Sequence, residues 1–224
     1  MRKLVFLTGA GMSKESGINT FRDSDGLWEN YPVEDVATIE GYYRNKQLVL
    51  DFYNNMRAGL ESKQPNEGHR LIHELEDKFE VSVITQNIDN LHERAGSTHV
   101  VHLHGELTKA CNEDKDVVEE IVYRPIKMGE QIAGQQSRPF IVWFGEGVPE
   151  MSKAMKLVQE ADIFVIIGTS MVVYPAAGLI DYVSPNVPIY LIDPADVKVP
   201  MYSNIKHIKK GASEGMKELC QLLK

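Results

Sequence analysis

A chain of 224 residues with 43% hydrophobic side chains is long enough to bury one sizeable core. Its 32 acidic residues against 24 basic ones leave a formal charge of −8, which argues against non-specific nucleic-acid binding. Apolar runs such as Leu4 to Leu7 and Ile163 to Ile167 fall far short of the ~20 residues of a membrane-spanning helix.

Met1-Arg2-Lys3 leads into a short apolar run without the longer segment and cleavage site of a secretory signal, so a cytoplasmic protein is expected. The first strand, Leu4–Leu7, runs into Thr8-Gly9-Ala10-Gly11-Met12-Ser13, a strand-to-helix junction where small residues let the backbone approach a phosphate. Lys14 stands where a dinucleotide fingerprint has its third glycine, and no ribose-binding acid ends an immediately following strand. A plain tight turn therefore stays open beside a nucleotide-diphosphate loop. Residues 27–65 hold a helical pattern over Gln47–Leu60 but no sheet strand, and Gly68–Lys78 repeats the one-faced helical spacing.

The next strand, Val81–Ile84, ends in Thr85-Gln86-Asn87-Ile88-Asp89-Asn90, placing an amide and a carboxylate at the edge where ligands of open α/β sheets sit. Capping of the helix containing Leu91 is the alternative, although it leaves two further polar side chains unexplained. Val100 to Glu106 reads as one strand with His102 and His104 on the same face, opposite Leu103. One of them suits a general base near neutral pH. A structural role or a metal pair are the alternatives, the latter lacking a cysteine or third histidine nearby.

Residues 108–138 are polar, charged and rich in Glu, Gln, Lys and Gly. Strands follow at Phe140–Trp143, Ile163–Ile167 and Ile189–Ile192, with helices over Met151–Glu160 and Met216–Leu223. Gly168-Thr169-Ser170 offers a second nucleotide contact at a strand end. Asp193, before Pro194, either accepts from a ribose diol or starts a turn.

Alternating strands and helices predict an α/β fold, a Rossmann-like doubly wound parallel sheet with a smaller inserted lobe. The sheet lobe takes residues about 1–26, 66–107 and 139–224, and the small lobe takes about 27–65 and 108–138. A cleft between them is the default ligand site.

Taken together, GAGMSKESGINTFR at Gly9–Arg22, TQNID at Thr85–Asp89, HLHGEL at His102–Leu107, WFGE at Trp143–Glu146 and GTSMVVYPAAGL at Gly168–Leu179 closely resemble the sirtuin family, in the family's order and over essentially the whole chain. The resemblance implies NAD-dependent removal of acyl groups from protein lysines, giving nicotinamide and O-acyl-ADP-ribose. NAD is then a co-substrate, unlike a hydride carrier. It implies that Gly9, Ala10, Gly11, Gly168, Thr169 and Ser170 hold the pyrophosphate and adenosine part, with Asp193 at the adenosine ribose. Phe21 and Arg22 would cover the nicotinamide ribose, which Gln86 contacts, and Asn87, Ile88 and Asp89 would bind the nicotinamide half. His104 would be the catalytic base, assisted by Asn87, and His102 its structural neighbour. Trp143 to Pro149, including Phe144, Gly145, Glu146 and Val148, resembles the segment that pairs with the substrate peptide by strand addition. Tyr53 and Met56 would line the acyl pocket.

Three departures stand out. Most sirtuins hold zinc with two pairs of cysteines in the small lobe, whereas this chain has only Cys111 there and Cys220 elsewhere, so zinc is expected to be absent. Packing by Val117, Val118, Ile121, Val122, Tyr123 and Ile132 is expected in its place. Met56 stands where the succinyl- and malonyl-removing branch has arginine; Arg57, one position later, stays near the Tyr53 side of the helix. The family's asparagine at the adenosine ribose is Asp193, which should reject the extra phosphate of NADP. Competing functions are mono-ADP-ribosyl transfer from the same NAD site and non-catalytic NAD binding; a dehydrogenase is disfavoured by the missing third glycine. The expected partners are acylated lysines of proteins, with no nucleic acid and no membrane; the oligomeric state is open.

Overall fold

A computed structural model describes residues 1–18, 31–197 and 204–224. The main sheet contains β1 (Lys3–Thr8), β2 (Glu80–Thr85), β3 (Val100–His102), β9 (Ile163–Ile167), β10 (Ile189–Ile192) and β11 (Ile205–Ile208), in the order β11-β10-β9-β1-β2-β3. Every neighbouring pair is parallel. β1 and β9 are buried along almost their whole length, because helices cover both faces. One face packs Leu4, Phe6 and Val165 against Ile72 of α5 (Glu67–Glu74) and Met216 of α8 (Ala212–Leu222). The other packs Val5, Leu7 and Ile166 against Ala154 and Val158 of α7 (Met151–Gln159) and Leu179 of the 3-10 helix Ala176–Tyr182. The chain builds outward from β1 to β2 and β3, then returns to β9 on the other side of β1. That reversal makes the crevice between the ends of β1 and β9 the switch point of the sheet.

The strand expected at Phe140–Trp143 is displaced and does not join the parallel sheet. β8 (Arg138–Ile141) pairs antiparallel with β4 (Gly105–Cys111), which also pairs with β5 (Val118–Glu120). A short apolar run encodes a strand but not its partner. β6 (Gln131–Ile132) and β7 (Gln135–Gln136) form a hairpin beside this sheet. The histidine segment is also divided: β3 stops at His102, Leu103 and His104 form a turn, and β4 begins at Gly105.

Among helices, α1 (Ala10–Ser13) leaves β1, while α2 (Val33–Val36), α3 (Ile39–Arg44) and α4 (Lys46–Glu61) fill the first excursion; α6 (Leu91–Arg94) follows β2. Asn45 caps α4 by accepting from Leu48 N at 3.1 Å. One side of α4 places Phe52 and Tyr53 with Tyr42, Leu107, Ile141 and Trp143. Leu50 packs with Ala110, Ile121, Ile126 and Ile132. Ile121 and Ile132 thus pack as expected, while Val117, Val118 and Val122 are exposed, and Leu50, Ala110 and Ile126 complete the cluster. Tyr123 packs against the Tyr53–Trp143 group.

Candidate active site

At the switch point two loops meet closely at their glycines. Gly9 N donates to Ile167 O at 3.0 Å and Gly11 N to Gly168 O at 2.8 Å. A Cβ on Gly11 would lie 2.6 Å from Gly168 Cα, and Gly168 itself has φ +59°. The glycines therefore do more than turn the chain: they let β1 and β9 loops close on each other, with Ala10 opening α1 directly above. A switch point whose loops carry no intervening side chain suits a diphosphate, which must approach backbone closely, although the Gly9 and Gly11 N–H groups are themselves spent on Ile167 and Gly168. Gln86 Nε2 ties the neighbouring strand end to the β9 loop by donating to Thr169 Oγ1 at 3.0 Å. Thr169 is buried and Ser170 half-buried.

Behind this floor, Thr8 Oγ1 donates to Thr85 Oγ1 at 2.8 Å and meets His92 Nε2 at 3.1 Å, while Thr85 Oγ1 accepts from Asn87 N at 3.0 Å. Asn87 Nδ2 donates to Gly9 O at 3.0 Å and to Ser13 Oγ at 3.1 Å. Ser13 Oγ in turn donates to Asp89 Oδ2 at 2.9 Å, and Asp89 Oδ1 accepts from Leu91 N at 3.1 Å. Asp89 thus has a capping contact on one oxygen and a contact with Asn87's partner on the other. Burial pushes its carboxyl up, opposed by the Leu91 and Ser13 hydrogen bonds. Ser13 is absent from the expected site; its only signal is its place two residues after Gly11. Ile88 packs with the Tyr53–Trp143 group, and its carbonyl accepts from Leu107 N at 2.8 Å.

The two histidines differ. His104 Nδ1 lies 3.0 Å from the Gln86 carbonyl, which can only accept, so Nδ1 carries the proton and Nε2 keeps its lone pair in the neutral ring. Burial lowers its pKa below 6.5, partly offset by that carbonyl. A neutral, oriented imidazole is the form a general base requires. His102 instead sits between the Asn87 carbonyl at 3.0 Å and Glu93 Oε1 at 2.7 Å.

The remaining expected residues are spread more widely. Phe144 exposes its ring, but its N–H donates to Ala37 O at 2.9 Å and its carbonyl accepts from Ile39 N at 3.1 Å, so its backbone is already paired. Gly145 is exposed with φ +89°, Val148 is half-buried, and Glu146 is held by Arg138 Nη1 at 2.9 Å. Tyr53 is buried, and its hydroxyl accepts from Trp143 Nε1 at 2.9 Å. Met56 packs beside it. Arg57 is fully buried and turned elsewhere: Nε donates to Leu107 O and Nη1 to Asn54 Oδ1, both at 2.7 Å. Burial lowers its pKa to about 10. Asp193 Oδ1 accepts from Ala195 N at 2.9 Å, the turn-forming contact, and Oδ2 has no hydrogen bond among the described residues. Phe21 and Arg22 lie outside the described residues. Among the described residues no group of three His, Cys, Asp or Glu could hold a metal, and no helix is long and apolar enough to cross a membrane.

The family model described as "Sir2 family" matches residues 9–175. An NAD-dependent protein deacylase of Bacteroides thetaiotaomicron is 57% identical over all of this chain and 98% of its own length. A crystal structure of a Sir2 homologue with NAD superposes with a TM-score of 0.88 at 36% identity, covering 99% of this chain and 89% of that one. A Sir2 homologue variant with 2′-O-acetyl-ADP-ribose gives the same TM-score and identity over 99% of this chain and 91% of that one. Match, coverage and fold agree with the switch-point glycines and the oriented histidine: the chain belongs to the Sir2 family, the sirtuins.

Proposed function

We propose that this protein removes acyl groups from lysine side chains of other proteins at the expense of NAD, with His104 as general base. The observation that carries the reading is the bond of His104 Nδ1 to the Gln86 carbonyl, which sets the tautomer so that Nε2 of the neutral ring can take a proton. It is supported by the deacylase relative and by the Sir2 homologues bound to NAD and to acetyl-ADP-ribose.

NAD, when bound, supplies an electrophilic ribose carbon as nicotinamide leaves, and the hydroxyl that finally receives the acyl group. The glycine junction at Gly9, Gly11 and Gly168, with Ala10, Thr169 and Ser170, fits its diphosphate and adenosine part. Asp193 Oδ2, without a hydrogen bond among the described residues, accepts from the adenosine ribose. Asn87, held through Nδ2, presents Oδ1 without a partner among the described residues, and with Ile88 and Asp89 it orients the nicotinamide half. Gln86 and, from the family resemblance, Phe21 and Arg22 complete the ribose contacts. His104 takes the proton of a ribose hydroxyl at Nε2. The peptide docks beside the Trp143 to Pro149 segment, as the family resemblance implies, with the Phe144 backbone already paired to Ala37 and Ile39.

The two-lobe division belongs to the same proposal. The six-stranded sheet supports the larger lobe, and the three-stranded sheet with α2 to α4 supports the smaller. A cytoplasmic location is part of the same proposal. Mono-ADP-ribosyl transfer and non-catalytic NAD binding do not need an oriented neutral base. Nicotinamide release measured with and without an acetyl-lysine peptide tests the reading: release that depends on the acyl group supports it, and release indifferent to the peptide overturns it.

A further inference from the structure

The peptide-facing segment turns at Gly145, φ +89°, where Glu146 N donates back to Trp143 O at 3.0 Å. Phe144, Gly145 and Gly147 are exposed, and nothing lies within 4 Å of where a Gly147 Cβ would be. Its anchor is the Glu146 carboxylate. Oε1 accepts from Arg138 Nη1 at 2.9 Å; Oε2 accepts from Arg138 Nη2 at 3.1 Å, Trp143 N at 2.8 Å and Lys115 Nζ at 2.6 Å. Arg138 and Trp143 are local to the segment, with the guanidinium 3.7 Å from the centre of the Trp143 ring. Lys115 comes from elsewhere, the β4–β5 turn, 31 residues earlier.

That turn is built to deliver the lysine. Lys115 has φ 60°, a conformation uncommon outside glycine, Asn and Asp. Lys115 N donates to Asn112 O at 3.1 Å, while Asn112 bonds Val117 N and Asp116 Oδ1 at 3.0 Å and 2.6 Å. Lys115 and Glu146 side chains are only 17% and 15% exposed, so water screens their pair less than it would a surface pair. Strain of this kind persists where surrounding contacts over-determine it.

We propose that Lys115 is a positioning residue for the acyl-lysine peptide, acting through Glu146 to hold the Gly145–Glu146 turn and so fix the course of the Trp143 to Pro149 segment that the peptide meets. The inference rests on the deacylase reading and on peptide docking at this segment. Removing Lys115 leaves the Arg138–Glu146 pair and its stacking on Trp143 in place, so the loss falls on the link between the turn and the segment. Ordering the segment then becomes a cost of peptide binding, not of NAD binding.

Lys115→Met is expected to raise KM for an acetyl-lysine peptide about 3- to 10-fold, leaving kcat and KM for NAD within about twofold, with Lys115→Arg restoring most of the loss. Fluorescence anisotropy of the labelled peptide reads docking without turnover and should weaken by the same factor. Unchanged peptide affinity in Lys115→Met, even with a lower Tm, overturns the proposal, as does an equal rise in KM for NAD. Wild-type protein that binds the peptide yet leaves NAD intact contradicts the deacylase reading, while anisotropy of the variant still decides the role of Lys115.

Discussion

His102 Nε2 lies 2.7 Å from Glu93 Oε1, and its Nδ1 lies 3.0 Å from the Asn87 carbonyl. Both partners only accept, so they favour the doubly protonated ring. Burial pulls its pKa down, but the Glu93 hydrogen bond and charge, with Glu106 and the Asn87 carbonyl, outweigh this and raise it above 6.5. His104, two residues on, is lowered by burial. Two near neighbours are thus shifted in opposite directions.

His104→Ala is therefore expected to cut turnover by ~10²–10⁴-fold while NAD binding stays measurable. His102→Ala should act mainly on stability. If His104 is the base, its neutral ring is the active form, and kcat should fall as pH drops through a value below 6.5. Interchanged effects of the two substitutions would reassign the base.

Glu93→Gln tests the pair by linkage. The raised His102 pKa adds stability that is fully present below its unfolded value of 6.5 and is lost as pH rises through the folded value. Glu93 is opposed by burial but lowered by His102, and its contribution is present above 4.5 and lost in acid. The Tm gap between wild type and Glu93→Gln should be widest between these limits and narrow on either side. A gap independent of pH would show that the pair does not titrate as described.

Gly11→Ala places a methyl 2.6 Å from Gly168 Cα, against backbone that cannot swing aside. Destabilisation of ~1–3 kcal/mol is expected from such overpacking, together with loss of NAD saturation. Wild-type KM for NAD in this variant would separate the glycine junction from the nucleotide site.

Much of this arrangement was legible in the residues, for identifiable reasons. Strands such as Ile163–Ile167 are buried on both faces and so read as unbroken apolar runs. β11 escaped because its Ile-Lys-His-Ile sequence carries an edge strand's mixed exposure. Gly9 and Gly11 announced a close approach, but only the fold shows that Gly168 is what they approach. Arg57 looked available on the Tyr53 side of α4; no sequence pattern reveals that a guanidinium is buried on the Leu107 carbonyl. Ser13 likewise became a site residue only when Asn87 and Asp89 met on its hydroxyl.

The small lobe is expected to stand without zinc, since Leu50, Ala110, Ile121, Ile126 and Ile132 pack together there. Leu50→Ala should cost ~2–5 kcal/mol, whereas a chelator should leave Tm and activity unchanged. Elemental analysis giving one zinc per chain would contradict this.

Acyl preference follows from where the polar groups are committed. Tyr53's hydroxyl already accepts from Trp143, and Arg57 commits Nε to Leu107 and Nη1 to Asn54, so the side chain one helical turn from Tyr53 is Met56, which has no charge to offer a succinyl carboxylate. Neutral acyl-lysines should therefore be preferred, because an unpaired buried carboxylate costs several kcal/mol. Met56→Arg should shift preference toward succinyl. Efficient desuccinylation by the unmodified protein, lost in Arg57→Ala, would refute the pocket argument.

Mass spectrometry of a reaction containing NAD and acetyl-lysine peptide tests the central claim most directly, because it identifies where the acyl group goes. Deacylated peptide, nicotinamide and O-acetyl-ADP-ribose in equal amounts, all lost in His104→Ala, are the expected result. ADP-ribose attached to the peptide, or free acetate formed with NAD left intact, would contradict it.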